Sequence, residues 1–176
     1  AASVVALVDG APVGVALLGR RERRGWIGSM GILPAWRRQG IGRRILQQVQ
    51  ANARRAGLHA IDLEVLTRNT AALALYEAAG FQIQRELLVW ERRAEQGALP
   101  DPYFKLQPAD VAWVLAQAPT WHDTPPCWQR QPASLRHLSD LHALAVADAT
   151  GERQVYVLFR PPQDGRIRLA DIGAAP

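Results

Sequence analysis

Cysteine is nearly absent: Cys127 stands alone among 176 residues. No intrachain disulfide can form and no thiolate cluster can hold a metal, so a metal-free protein of a reducing cytoplasm is expected. No apolar run approaches the roughly 20 residues that a membrane-spanning helix needs. Lysine is also scarce, since Lys105 is the only one among 21 basic residues. The chain nevertheless carries a net charge of +5 and a pI near 10.3. That balance suits an anionic partner such as a nucleotide phosphate, a nucleic acid or an acidic surface. The arginines are scattered over several elements, which argues against the single basic stripe of a nucleic-acid binder. Apolar residues make up 48% of the chain, enough to build a core and to exclude wholesale disorder.

The first half has a clear order. Ser3–Val8 is β-branched and apolar, Asp9-Gly10 signals a hairpin turn, and Pro12–Leu18 reads as the return strand. Arg20–Arg24 reads as a solvated turn and Trp26–Leu33 as a third strand, in which Gly28 and Gly31 weaken the strand or permit a close approach. After Pro34, Ile41, Ile45, Leu46, Val49 and Ala53 fall on one helical stripe, closed by Arg54, Arg55 and Gly57. Ala60–Leu66 alternates, with Ile61, Leu63 and Val65 facing one way and Asp62 and Glu64 the other. Asn69 is placed to cap a short helix over Thr70–Ala79, and Gln82–Arg93 reads as a long last strand. The order β-β-β-α-β-α-β is an α/β arrangement.

The texture then changes. Gly97, Pro100 and Pro102 mark a linker over 94–108. Short helices are expected at Ala109–Ala118 and near Ala133–Leu138, and strands at Leu141–Ala147, Gln154–Arg160 and Arg166–Ile172. These three strands repeat the spacing of the first three.

The chemistry concentrates in Arg37-Arg38-Gln39-Gly40-Ile41-Gly42, between a strand and an amphipathic helix. A diphosphate needs converging backbone N–H donors and no side chains in the way. Gly40 and Gly42 allow a close approach, the helix start supplies free donors, and Arg38 and Arg43 add charge-assisted contacts. A glycine-containing loop ahead of an ordinary surface helix would look similar, but the strand–loop–helix–strand setting favours the phosphate reading.

At this point a resemblance is specific. The R-x-x-G-x-G loop at Arg37–Gly42 and, in the right order after it, Asn69 with Ala72-x-x-Leu75-Tyr76-Glu77-x-x-Gly80-Phe81 resemble the core of the GCN5-related N-acetyltransferase family. The match is close from Met30 to Phe81 and covers Ala1–Arg93 in outline. It implies a mixed, mostly antiparallel α/β (α+β) sheet flanked by helices, with acetyl-CoA as co-substrate and a primary amine, of a small molecule or a peptide N-terminus, as acceptor. Met30, Gly31 and Ile32 would pair with the pantetheine arm, while Arg37, Arg38, Gln39, Gly40, Ile41, Gly42 and Arg43 would hold the diphosphate. Asn69 would touch the coenzyme, as well as or instead of capping its helix. Tyr76 would protonate the leaving thiolate, unless it packs with its hydroxyl at the surface. Glu64 lies in a stretch similar to acetyltransferases of protein N-termini, where the matching residue is a candidate base. A loop anchor or a partner of an arginine is the other reading of Glu64. The strands ending near Ile32 and Val65 would splay to admit the thioester.

The resemblance also implies a departure. The strand and two helices that normally open the family are missing before Ala1, which points to a fragment. The organisation expected is therefore 1–93 as the coenzyme-binding core, 94–108 as linker, and 109–176 as a partial, degenerate second domain of helices and a β-meander. A non-catalytic acyl-CoA-binding module is the alternative to the enzyme. Subunits of a homodimer could exchange the strand Gln82–Arg93. His122, His137 and His142 lack metal spacing, and Trp121, Cys127 and Trp128 are expected to fill a small core.

Overall fold

The computed structural model describes residues 3–91, 106–148 and 150–176, which divide into two compact units, 1–86 and 87–176. In the first unit, β1 (Val4–Val8), β2 (Ala11–Arg21) and β3 (Arg24–Ile32) form an antiparallel meander. The Asp9-Gly10 turn has positive φ at both residues, 49° and 79°, which matches the right-handed twist of the flanking strands. The arginine-rich run is not one solvated turn: Arg20 and Arg21 lie in β2, Arg24 in β3, and only Glu22-Arg23 turn. A long basic side chain at a strand edge keeps its charge in water without breaking the ladder.

The chain then crosses over through α1 (Ile41–Arg55) to β4 (Ala60–Leu63), which lies parallel to β3. The expected stripe is the buried face of α1: Ile45, Leu46, Val49 and Ala53 are buried, and Ile41 packs on the same cluster. Gly57, at φ +72°, follows the helix as expected of a chain-reversing glycine. Ile61 and Leu63 pack on this core too. β4 is shorter than its sequence pattern suggests, so Glu64, Val65 and Leu66 lie beyond its end. α2 (Thr70–Ala78) follows, with the Asn69 side chain accepting from the Ala72 N–H at 3.3 Å.

The last expected strand does not form over 82–91, and Arg92 and Arg93 lie outside the described residues. An alternating sequence needs a neighbouring backbone to become a strand, and no described segment pairs with this one. Val89 and Trp90 are consequently exposed by 94% and 86%.

The second unit holds a four-stranded antiparallel sheet in the order β5 (Leu106–Pro108), β6 (His142–Ala147), β7 (Arg153–Gln163), β8 (Arg166–Ala174). β5 falls where the sequence reads as linker, since three residues containing a proline carry too little periodicity to be seen. Between β5 and β6 come α3 (Val111–Gln117), capped by Asp110, and the one-turn α4 (Pro132–Leu135). The two meanders share dimensions: β2 and β7 have 11 residues each, β3 and β8 have 9. β2 and β3 shift register once, between Leu17 and Leu18, whereas β7 and β8 shift twice, between Leu158 and Phe159 and between Arg160 and Gln163.

Leu46 has no exposed surface. Leu46→Ala should cost about 2–5 kcal/mol in urea denaturation followed by circular dichroism. The exposed neighbour Gln47→Ala should stay within about 0.5 kcal/mol of the parent. Equal effects would mean that this face of α1 is not the core.

Candidate functional site

The loop between β3 and α1 is built by two residues with left-handed backbone. Arg38 has φ +60° and Gly40, the N-cap of α1, has φ +78°. A non-glycine residue there is uncommon, and such residues concentrate at functional turns. A Cβ on Gly40 would meet nothing within 4 Å, so glycine is present for its conformation and leaves open space before the helix. Gly42 differs. Its Cβ would lie 3.0 Å from Leu75 and 3.1 Å from Ile32, with Met30 at 3.7 Å. It is a packing glycine that seats the first turn of α1 against β3 and α2, rather than clearing a path for a ligand.

The start of α1 is electrostatically exposed. No side chain caps it, and its first turn has no acidic residue. Instead it carries Arg43 and Arg44, cations at the positive end of the helix dipole. The first N–H groups of a helix have no partner within it. Arg38 and Arg43 also have no side-chain partner among the described residues. Arg37 and Gln39 are committed locally: Arg37 Nε donates to the Ile32 carbonyl at 3.1 Å, and Gln39 Nε2 to the Ala35 carbonyl at 3.1 Å. They brace the loop.

On the strand side, β3 and β4 pair only from Arg24 with Ala60 to Ile27 with Leu63. A bidentate Arg24–Asp62 ion pair, with contacts of 2.6 and 2.8 Å, ties that end. Sequence reasoning missed it because Arg24 was one of a run of charges. Beyond Ile27, β3 continues to Ile32 with only β2 as partner, because β4 ends at Leu63 and leaves the far edge of β3 open. Met30, Gly31 and Ile32 border this opening, and a Cβ on Gly31 would meet nothing within 4 Å. Gly28 has another task, giving room to the Trp26 ring, which a Cβ would approach to 2.5 Å. On the β2 side of β3, an open apolar groove of about 580 Å³ is lined by Pro12, Gly14, Val15, Gly31, Ile32 and Arg37 among others.

Met30, Ile32, Ile41 and Tyr76 share one hydrophobic cluster, so strand end, helix start and α2 converge. Tyr76 packs edge-on against Phe81 at 5.9 Å. Burial pushes its phenol above the ordinary value, which keeps it protonated at neutral pH. Its hydroxyl has no hydrogen-bond partner among the described residues. Asn69 commits its side-chain oxygen to the α2 cap. Glu64 is exposed just past β4. No described group of three or more His, Cys, Asp and Glu residues could hold a metal, and no described helix is long and apolar enough to cross a membrane.

Comparison with known proteins gives this geometry a context. Residues 1–81 match the model of the acetyltransferase (GNAT) family. N-alpha-acetyltransferase RimI of Mycobacterium tuberculosis is 41% identical over 70 residues, 39% of this chain and 42% of the relative. The ribosomal protein bS18-alanine N-acetyltransferase of Escherichia coli K12 is 38% identical over 53 residues, 30% of this chain and 36% of the relative. The chain thus spans about two-fifths of the length of these curated relatives. Among solved structures, an aminoglycoside N-acetyltransferase, AAC(6')-Iy, in complex with CoA aligns at 20% identity and a TM-score of 0.47, over 52% of this chain and 75% of the other.

The two glycines should fail differently. Gly42→Val should cost about 1–3 kcal/mol through overpacking. Gly40→Ala should cost about 1–2 kcal/mol through its left-handed backbone alone. In thermal melts, unchanged stability of the first variant would mean that α1 does not rest on β3 as described.

Proposed function

We propose that residues 1–81, which match the model of the acetyltransferase (GNAT) family, form a domain of that family, and that this chain binds acetyl-CoA and serves acetyl transfer to a primary amine. The observation that carries the reading is the uncapped start of α1, with Gly40 clearing its approach and Arg38 and Arg43 unpaired beside it. A diphosphate there would accept from the free N–H groups and offset two cations that otherwise sit at the wrong end of a dipole. The pantetheine arm would lie along the unpaired edge of Met30, Gly31 and Ile32, and Asn69 would reach it with the amide nitrogen that its cap leaves over.

In the reaction, the amine nitrogen attacks the thioester carbonyl, the C–S bond breaks, and the ammonium proton leaves to Glu64, directly or through water. Tyr76 returns a proton to sulfur, a role suited to a phenol held neutral by burial. A backbone N–H near Gly31 would steady the developing oxyanion. The curated relatives are named for acetylation of protein N-termini, which supports a peptide N-terminal amine as acceptor. The same framework without turnover would be an acyl-CoA-binding module, and the assays below separate the two.

We extend the reading to the second unit as a partial, GNAT-like domain over 109–176. Supporting it are the matched strand lengths and two short helices preceding the meander.

Calorimetry on the full chain should show acetyl-CoA binding that falls more than ~10-fold in Arg38→Glu/Arg43→Glu and weakens as salt rises. Unchanged affinity would remove the diphosphate from this loop. With an N-terminal peptide as acceptor, Tyr76→Phe should keep binding but lose about 10²–10⁴-fold in turnover. On the alkaline side, the parent should lose activity only above the ordinary phenol pKa of about 10. Full turnover by Tyr76→Phe would exclude Tyr76 as the acid, and binding without any thiol release would favour the module.

A further inference from the structure

The second unit contains a polar cluster for which the first unit's chemistry has no use. On β8, Asp171 and Gly173 point to the same face, and Tyr156 of β7 is the cross-strand partner of Gly173. A Cβ on Gly173 would come within 2.6 Å of the Tyr156 ring, so the glycine lets that ring lie across β8. Its hydroxyl then donates to Asp171 Oδ2 at 2.7 Å. His122 completes the triangle, with Nε2 3.0 Å from the same carboxylate oxygen and 3.1 Å from the Tyr156 oxygen. Trp121 stacks on Tyr156 at 5.4 Å and covers the group from the helix side. Asp171 is 4% exposed and Tyr156 fully buried.

The geometry fixes the imidazole. Both groups facing Nε2 offer lone pairs, because the tyrosine proton is already spent on Asp171. Nε2 must therefore carry a hydrogen, and Nδ1 is the nitrogen left without a partner among the described residues. A buried carboxylate is costly unless satisfied, and two donors converge on this one. The carboxylate thus acts as an orienting group behind the ring.

His122 also lines a cavity of about 380 Å³, within the roughly 300–1,000 Å³ usual for small-molecule sites. Its lining includes Pro119, Pro125, Pro126 and Pro132, rigid and apolar, with Gln131 and Arg136 as further polar members. Arg136 Nε donates to the Pro132 carbonyl at 3.4 Å, and its terminal nitrogens have no partner among the described residues. No acidic residue lines the cavity, since Asp171 stands behind the imidazole.

We propose that this cavity is a binding site for a small carboxylate with a short hydrocarbon body, its anion held by Arg136 and its chain packed against the prolines and the His122 ring. The guanidinium suits a carboxylate through two parallel N–H bonds, and the cavity's lining residues include no acidic side chain that would draw a cation there instead. The site stands apart from the acetyl-CoA reading and holds or fails independently of it.

Butyrate titrated into the full chain tests the proposal, read from the His122 ring signals by ¹⁵N–¹H NMR. Butyrate should shift them saturably, with butylammonium and inorganic phosphate at equal concentration leaving them in place. Arg136 is exposed, so Arg136→Ala should fold normally and bind butyrate at least 10-fold more weakly. The ring should show Nε2 protonated in the free protein. Failure to saturate, equal response to phosphate or butylammonium, or undiminished binding by Arg136→Ala would overturn the site. A proton on Nδ1 alone would overturn the orienting role of Asp171, which Asp171→Asn should otherwise weaken by releasing the ring.

Discussion

The first unit depends on one contact in which a side chain is missing. Gly42 allows α1 to touch the end of β3 and the flank of α2 at once, through Ile32, Met30 and Leu75. An added side chain here would press on the ends of the Leu75 and Ile32 side chains. Because the helix start stays down, free N–H groups, the unpaired strand edge and Tyr76 fall within one neighbourhood. The arginines of the loop add charge, but the geometry they serve is set by van der Waals contact among apolar atoms. The polar site is thus a by-product of how the core closes.

Much of this was legible in the sequence, and for identifiable reasons. The stripe of Ile45, Leu46, Val49 and Ala53 repeats at helical spacing, and burial follows it directly. Asp9-Gly10 and Gly57 sit where only left-handed backbone fits, so their chemistry announces them. The loop glycines were visible as a pair, but not their division of labour. Whether a glycine faces solvent or a leucine depends on residues thirty positions away.

What was hidden was long-range. Alternation over 82–91 looks like a strand, yet a ladder needs a second backbone that sequence pattern cannot promise. The end of β4 at Leu63 depends likewise on where β3 turns aside. His122 had no motif at all, since its partners arrive from β7 and β8 and only the fold assembles them. Arg24 was one charge in a row until Asp62 came to meet it.

The single parallel ladder of the first unit has a consequence for how the protein reaches its native state. Hairpins close quickly because their partners are neighbours, whereas β3 and β4 can meet only after the whole crossover through α1 is in place. The meander and the helix are therefore early, local events, and the joining of Arg24–Ile27 to Ala60–Leu63 belongs to the slow end of folding. Since the opening beside Met30–Ile32 exists only relative to that ladder, it is the last part of the unit to acquire its shape. A chain caught before that step would have its secondary structure largely built and still lack a place for a ligand.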